Sequence, residues 1–562
     1  GGIPGRFLAS FGLTMSASIA ISLLVSFTLT PMMAARWLKP IDPNVEHEKP
    51  WLERLTDKVY LPLERAYDRT LRWCMAHRWV VVVAMLLTLA SIVPLMGAVS
   101  KGFMPVNDEA ALQMSIRTPE GTSLEQTRII SDRVAREIRE SVPEVVLTLN
   151  TIGDNTERAV NVSTTYIKLV DPQDRKRTQE QVGAHIRDTI TSKLPKDLRV
   201  SVGDAPLFGN ATNAAVQYAV RGPDMEKIQA LSQKLLQEIK AMPGTADADT
   251  NLVLGKPEVN FIIDRSRAAD LGVNVIDVAT TLQLAIGGLE VSNFEEGGFQ
   301  YEVRVRADEQ YRDSIAALGQ LTVPSRTVGS VPLMDVVRME EGDGPATIYR
   351  SGRQRQIIVS ASVLPGFGSG DVVGKLNQIT GSWDLDIGYS AQPIGMSREI
   401  GRTMNNFIMA FALSFIFMYL VLAAQFESWI HPFTILLSLP LTVPFALISL
   451  LVFDQSLNIF SMLGILVLFG VVKKNSILQI DHTLQLRAEG HDGLEAIVKG
   501  SRDRLRPILM TTIAFVAGMV PLVTSTGIGA GMNQATAGVV VGGQMLSLVL
   551  TLLGTPVAYA LI

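Results

Sequence analysis

Hydrophobic and polar positions are sharply segregated along this chain. Residues 7 to 35, 79 to 100 and 403 to 426, and everything after Arg506, contain no Asp, Glu, Lys or Arg. A helix that crosses roughly 30 Å of hydrocarbon needs about 20 apolar residues, so these runs are long enough to span a bilayer, some with tilt. Read by charge-free length, the pattern predicts seven spans: 7 to 35, 79 to 100, 403 to 426, 432 to 453, 458 to 483, 507 to 526 and 535 to 559. The basic residues gather in 36 to 78 and 484 to 506, whereas 455 to 457 and 527 to 534 carry none. The positive-inside rule therefore places the first two segments in the cytoplasm. Residues 101 to 402 become one large insertion on the far side, where the start of the chain falls as well; beginning at Gly1 without an initiator Met or signal peptide, the sequence reads as a fragment.

Between the first two spans, residues 51 to 72 mix Leu, Val and Tyr with charges at helical spacing despite Pro62. This predicts a helix lying on the cytoplasmic membrane surface, with a soluble connecting helix as the alternative. The insertion changes period. LQMSIRT (112 to 118) alternates as a strand, Ser123 to Gln126 has a capping-box pattern opening a helix to about Glu140, and VVLTLNTI and STTYIKLV follow as strands. A helix over 178 to 194 and the strand LRVSVGD (198 to 204) complete a βαββαβ order, that of a ferredoxin-like split βαβ unit. The pattern restarts with VQYAVRG (216 to 222), a helix from Met225 to Met242 and a short strand near Ala246 to Asn251. Its missing strand, helix and strand come late, as QIIVSASVL (356 to 364), a helix from about Gly370 to Gln378 and DIGYSAQ (386 to 392). Residues 256 to 345, with VNFIID, a helix at Val275 to Ala285 and VPLMDVV, are then a small α+β lobe inserted in the second unit.

Composition narrows the function classes. The 50 basic and 54 acidic side chains leave a net charge of −4 and no case for a nucleic-acid surface. Cys74, the single cysteine, permits neither an intrachain disulfide nor a cysteine metal cluster. STGIGAGM (525 to 532) lacks the Lys and Ser/Thr of a P-loop, and SGDVVGKL (369 to 376) has Ser at the first glycine position and Leu at the hydroxyl position; both read as a turn and a helix start, and no cofactor is expected.

The chemistry lies within the spans. Lys473 and Lys474 sit in a segment otherwise uncharged from Gln455 to Gln479. An ammonium at that depth costs about 3 kcal/mol by insertion scales and more by simulation, so it needs a partner or a task. Adjacent helical residues differ by about 100°, so one of the two can point into the bundle while the other faces a neighbour, water or the cytoplasm. Asp481 lies seven residues after Lys474, near the same face, and reads as a solvated carboxylate at the end of the span. Arg504 and Thr511 are also seven apart, which puts a hydroxyl about 10 Å deeper than the cation on one helix face.

Two ferredoxin-like units, one carrying an inserted lobe, projecting from a membrane bundle, resemble the C-terminal half of a resistance-nodulation-division (RND) multidrug efflux transporter. Local sequence carries the same resemblance in family order: KGFMPVNDEA (101 to 110), LAAQFESW (422 to 429), GVVKKNSILQIDH (470 to 482) and RLRPILMTTIAF (504 to 515). The resemblance implies a span (1 to 35), a cytoplasmic linker (36 to 78), a second span (79 to 100) and a first porter subdomain (101 to 210). A second porter subdomain (211 to 255 and 346 to 400) then holds a docking lobe (256 to 345), and five spans occupy 401 to 562. Such transporters have twelve spans in two homologous halves, and this chain would start just before the sixth.

The family works as a homotrimer in the bacterial inner membrane, with porter and docking layers in the periplasm, a periplasmic adaptor and an outer-membrane channel. It couples export to protons through a carboxylate pair in its fourth span, which lies outside this chain. Those acids engage the lysine here at Lys474, the inward candidate, with Asn475 beside it and Arg504 and Thr511 assisting. Met114 stands where copper-exporting relatives place a thioether, but no second methionine follows before Met225, so it reads as a packing residue first and a cleft-wall residue second; Tyr166 matches an aromatic position of the drug cleft and reads either as a cleft-wall residue or as ordinary sheet packing. The matching loop, TIGDNTERAVN (151 to 161), lacks the family's phenylalanines, which favours amphiphiles over large planar aromatics. The alternatives are a heavy-metal RND exporter and a non-transporting RND-like scaffold or sensor.

Overall fold

The computed structural model describes residues 2–37, 51–155, 158–195, 197–205, 214–252, 256–312, 314–344 and 347–562. Contacts divide the chain into two compact units, one of 1–117, 124–250 and 350–562 and the other of 118–123 and 251–349.

The first unit opens with helices α1 (Gly2–Trp37), α2 (Trp51–Ala76), α3 (Arg78–Ala90) and α4 (Ile92–Ala98). Pro62 lies inside α2 without ending it. A split βαβ order follows as β1 (Ala111–Arg117), α5 (Leu124–Ser141), β2 (Val145–Ile152), β3 (Val162–Leu169), α6 (Gln179–Thr189) and β4 (Arg199–Asp204). The strands lie in the order β2-β3-β1-β4, all antiparallel. Alternation along β1 buries Leu112, Met114 and Ile116 against Val134 and Ile138 of α5 and Val182 and Ile186 of α6. The helix expected over 178 to 194 starts at a capping box, in which Thr178 Oγ1 accepts the Gln181 amide and the Gln181 side chain accepts the Thr178 amide. It loses α-helical form after Thr189, and a 3-10 turn over Thr191–Lys193 completes the stretch.

An ion pair fastens the two connections at one end of this sheet. Arg177 donates Nε to Glu144 Oε1 at 2.6 Å and an Nη to Oε2 at 2.5 Å. The guanidinium holds the Glu144 carboxyl below its usual range. A lowered folded pKa stabilises the fold above the unfolded pKa and loses that contribution as pH falls through the folded one. Glu144→Gln is therefore expected to lower thermal stability at pH 7, on the order of 1 kcal/mol, with the deficit shrinking as pH falls through the lowered pKa, as read by melting curves across the acid range.

The second sheet begins with β5 (Val216–Gly222), α7 (Met225–Ala241) and β6 (Thr245–Thr250). The other compact unit then intervenes as β7 (Lys256–Ile263), α8 (Arg265–Asp270), α9 (Val275–Leu282), the hairpin β8 (Leu289–Glu296) and β9 (Phe299–Val305), α10 (Ile315–Leu318), β10 (Thr322–Ser325), β11 (Gly329–Pro332) and β12 (Val337–Gly344). Its core is Val278, Val323, Val331, Leu333, Val336 and neighbours, and β7 pairs antiparallel with β12. The expected strand VPLMDVV is split by a 3-10 turn at Leu333–Asp335. After this lobe, β13 (Arg350–Ser351), β14 (Gln354–Val363), α11 (Ser369–Gly381) and β15 (Ser390–Pro393) return to the second sheet. There β14 lies between β5 and β6, and β15 flanks β5 on its other side.

The chain ends in α12 (Gly395–Phe426), α13 (Ile430–Leu436), α14 (Thr442–Val452), α15 (Ile459–Ala488), α16 (Gly493–Val523) and α17 (Ala530–Leu561). Among the described residues six helices are long and apolar enough to cross a membrane, against the seven expected. The difference is the candidate at 432 to 453, which is broken into α13 and α14. Pro440 lacks an amide and disfavours helical geometry at Leu439, and the chain turns there through Thr442 N–H to Leu439 O at 3.0 Å. Counting charges cannot register such a break.

The motif KGFMPVNDEA proves to be a linker wired to three elements. Gly102 N–H donates to Leu457 O at 3.1 Å and Ile459 N–H to Phe103 O at 3.3 Å, which lays the linker along the α14–α15 turn. Asp371 of α11 takes the Lys101 amide at 3.0 Å and its Nζ at 3.1 Å. At the start of α17, Gly531 N–H donates to Asn107 Oδ1 at 3.2 Å.

Candidate functional site

The buried stripe of α15 runs Val472, Asn475, Ser476, Gln479, Thr483 and Leu486, at the three- and four-residue steps of one helix face. It begins from an Asn458 N-cap whose side chain accepts the Phe460 and Ser461 amides. On that stripe Ser476 Oγ lies 3.0 Å from Thr555 Oγ1 of α17 and 3.2 Å from Ser438 Oγ, and Thr483 donates back to Gln479 O at 2.8 Å. A matching stripe on α17 comprises Gln544, Ser547, Thr551 and Thr555, all buried. Gln544 Nε2 reaches Thr512 Oγ1 of α16 at 3.4 Å. Small residues permit this packing, because a Cβ on Gly464 would come within 2.7 Å of the Thr536 carbonyl oxygen.

Several polar atoms of this seam are buried without a hydrogen-bond partner: Asn475 Nδ2, Ser501 Oγ, Arg504 Nε, Gln544 Oε1 and Ser547 Oγ. α15, α16 and α17 thus carry a polar layer through an apolar bundle. At one end of it Tyr67 of α2 donates its hydroxyl to Leu552 O at 3.0 Å, and burial raises its pKa so that it stays a neutral donor.

Lys474 stands on an open face of α15 and is exposed, while Lys473 is half-buried. Within this chain positions 472, 475 and 476 carry the buried face of α15, and residue 474 is turned from that face by the helical step. Among the described residues no carboxylate lies within ion-pair distance of either lysine, and Asp481 instead accepts from Gln485 Nε2 at 3.0 Å. Asn475 is in the buried seam. Arg504 and Thr511 are both half-buried on α16, and Thr511 donates to its own helix at Ile508 O, 3.1 Å away.

The two expected cleft residues separate. Met114 is fully buried in the core between β1 and the two helices, so it cannot line a cleft; strand alternation aims it at the helices. Tyr166 lies on the other face of the sheet, half-buried, with Gln113 opposite it on β1 and Leu149 on β2. Leu147 and Leu149 of β2 are exposed there and give this face a modest apolar character. Of the loop at 151 to 161, residues 156 and 157 lie outside the described residues, and Asp154 Oδ1 accepts from Thr164 Oγ1 at 3.0 Å.

The two sheets meet at an edge held by charge. Arg187 Nε lies 3.1 Å from Asp247 Oδ2, and Arg199 lies 3.4 Å from Asp249. Asp247 adopts φ 50°, a left-handed conformation that Asp tolerates, and its carboxylate also accepts the Val202 amide at 3.3 Å. Sequence reading missed this latch. It also missed the seam on α17, although Gln544, Ser547, Thr551 and Thr555 at steps of three and four in a charge-free helix were a readable polar stripe.

Comparison with known proteins agrees with this architecture. The AcrB/AcrD/AcrF family model matches residues 1–562. "Multidrug resistance protein MdtC" of Escherichia coli O7:K1 (strain IAI39 / ExPEC) is 29% identical over 561 residues, covering 100% of this chain and 54% of the relative. The protein of the same name from Enterobacter sp. (strain 638) gives the same figures. The chain thus spans about half the length of the curated relatives it matches. Among solved structures, a heavy metal efflux pump in crystal form II superposes with a TM-score of 0.78 at 23% identity, covering 90% of this chain and 53% of that one.

Proposed function

The chain belongs to the AcrB/AcrD/AcrF family, and on that premise we propose that it supplies the C-terminal half of a proton-driven RND exporter of hydrophobic or amphiphilic compounds. The observation that carries the reading is Lys474. An ammonium on an open face of a membrane-length helix, beside a seam of buried and unpartnered polar atoms, is what a mobile charge pair needs. A carboxylate from the other half of the transporter would meet that face. An Asp beside the ammonium is ionised; its protonation releases the lysine, and the bundle then has two arrangements that differ in charge. The half-buried Arg504 and Thr511 and the buried Asn475 belong to the same relay, with water bridging the unpartnered atoms of the seam.

The protein works in the bacterial inner membrane as a homotrimer, with its sheets as periplasmic porter units and the lobe at 251–349 as the docking layer for a periplasmic adaptor and an outer-membrane channel. Amphiphiles are favoured over metal ions as substrates. Met114 is sealed in a core and no other methionine follows until Met225, whereas Tyr166 with Leu147 and Leu149 offers adaptable apolar contact.

A susceptibility panel on cells expressing the full-length protein tests this. Protection against detergents and lipophilic drugs is expected, and it should vanish when an ionophore collapses the proton gradient. Tyr166→Ala should lower that protection severalfold for some compounds while sparing others. Strong protection against copper or silver with none against amphiphiles would overturn the substrate class. An unaltered panel in the variant would return Tyr166 to ordinary sheet packing.

A further inference from the structure

Helix α2 presents three faces. The first is packed: Tyr67, Leu71, Cys74 and Met75 are buried in a cluster with Ile497, Leu505, Ile508, Leu552 and Val557 of α16 and α17. The acidic residues border that side, where Glu64 lies 3.9 Å from Arg502 and Asp57 lies 3.7 Å from Arg506, whose guanidinium stands 5.2 Å over the Tyr60 ring. At about 100° per residue, a second face carries Val59, Leu63, Ala66 and Trp73, all exposed. A third carries Lys58, Arg65, Arg69 and Arg72, within an arc of about 60° and extending ~21 Å along the helix, also exposed. Arg72 is tied to Asp68 at 2.9 Å, whereas Lys58, Arg65 and Arg69 have no ion-pair partner among the described residues.

The surroundings identify the occupant. α2 lies in the chain between α1 and α3–α4, which are both long and apolar enough to cross a bilayer, so its two ends meet the bilayer at the same surface. Of the six tryptophans, Trp37, Trp51, Trp73 and Trp79 mark the ends of these helices, and all are exposed. Indole rings favour the headgroup level, and the apolar stripe next to them would be costly in water. A basic stripe beside an apolar stripe at that level faces lipid phosphates, with the Arg and Lys stems lying along acyl chains and their charges in the headgroup layer.

We propose that the outer edge of α2, centred on Lys58, Arg65 and Arg69, is a binding site for anionic phospholipid headgroups, separate from the proton relay. Asp57 and Glu64 are drawn to the bundle side by Arg506 and Arg502, and Asp68 pairs with Arg72, which leaves Lys58, Arg65 and Arg69 without a neutralising partner among the described residues. Such an edge holds acidic headgroups in preference to zwitterionic ones, and salt weakens the preference.

The test uses the purified full-length protein in nanodiscs of phosphatidylcholine alone or mixed with phosphatidylglycerol. Wild type is expected to melt at a higher temperature in the anionic discs and to retain at least threefold more phosphatidylglycerol through detergent extraction than the triple variant Lys58→Gln, Arg65→Gln, Arg69→Gln. The double variant Arg65→Lys, Arg69→Lys should keep the gain, and Arg133→Gln, Arg136→Gln on α5 should not disturb it. Equal stabilisation of wild type and triple variant by phosphatidylglycerol would overturn the proposal. So would a wild type indifferent to lipid charge, the outcome expected if the basic edge serves an acidic protein instead. Should the triple variant fail to fold, single variants with graded loss of retained lipid carry the same decision.

Discussion

Export by the full-length transporter is expected to fall to background when Lys474 is replaced by Ala, with expression and assembly unchanged. Within this chain the side chain is exposed on α15, so its removal disturbs none of the packing among α15, α16 and α17. What disappears is the charge whose partner changes on protonation. The proton gradient supplies about 2.3 kcal/mol per 100 mV for each charge moved, and it can drive transport only through a group that binds differently in the two states. Lys473→Ala is the internal comparison, expected to keep most of the activity because its half-buried side chain lies beside the relay face. Uptake into vesicles or accumulation of a fluorescent amphiphile in cells reads both. Undiminished export by the Lys474 variant would sink the proton-coupling proposal, and loss in the Lys473 variant alone would move the role by one residue.

Gly531→Ala should be the most damaging of the small substitutions. A Cβ built there lies 2.2 Å from the Val106 carbonyl oxygen, 3.2 Å from its carbon and 3.3 Å from Asn107 Cα. All three are backbone atoms, so no side chain can rotate away, and the start of α17 must part from the linker that leads into the first sheet. Overpacking of this kind costs about 1–3 kcal/mol or more. It would also break the Gly531 bond to Asn107, one of the tethers joining the helices to that linker. Thermal melting and export are expected to fall together, by several degrees and at least tenfold. Gly518→Ala in α16, where a Cβ would meet nothing within 4 Å, is expected to change neither.

Much of the fold was legible because period and charge reported it directly. Leu112, Met114 and Ile116 alternate as a half-buried strand must, and the restart at Val216 announced a second unit completed after a lobe. Other elements were missed for different reasons. The hairpin β8–β9 carried a signal that went unused: FQYEVRV alternates along β9 and Gly297-Gly298 supplies the turn. Pro440 broke a span that charge counting took as continuous. At the site, resemblance carried the choice of Lys474, which two adjacent lysines on one helix could not make by spacing alone. For Met114 it supplied a position on the strand, and the alternation already written in the sequence pointed that side chain into the core. The seam escaped a count of charges, because Gln, Ser and Thr do not interrupt a charge-free run, although their spacing of three and four on α17 was there to be read.

The interruption of the second sheet sets an order for its assembly during synthesis. Strands β5 and β6 do not pair with each other; β14 must come between them, and it is made about 100 residues later. Until then both strands have open edges, the condition in which nascent chains aggregate. In the first sheet the corresponding closure spans only the loop between β2 and β3, and the longer loop adds about 2 kcal/mol of closure entropy. A lobe that folds first would offset this. Its β7 pairs with β12 so that Lys256 stands opposite Gly344, which brings the two ends of the lobe together. A folded lobe thereby shortens the loop that must close before β14 can pair with β5 and β6. Shortening the chain across that base, with Thr250 joined to Arg350 by a few glycines, should leave the second sheet able to form and speed its closure.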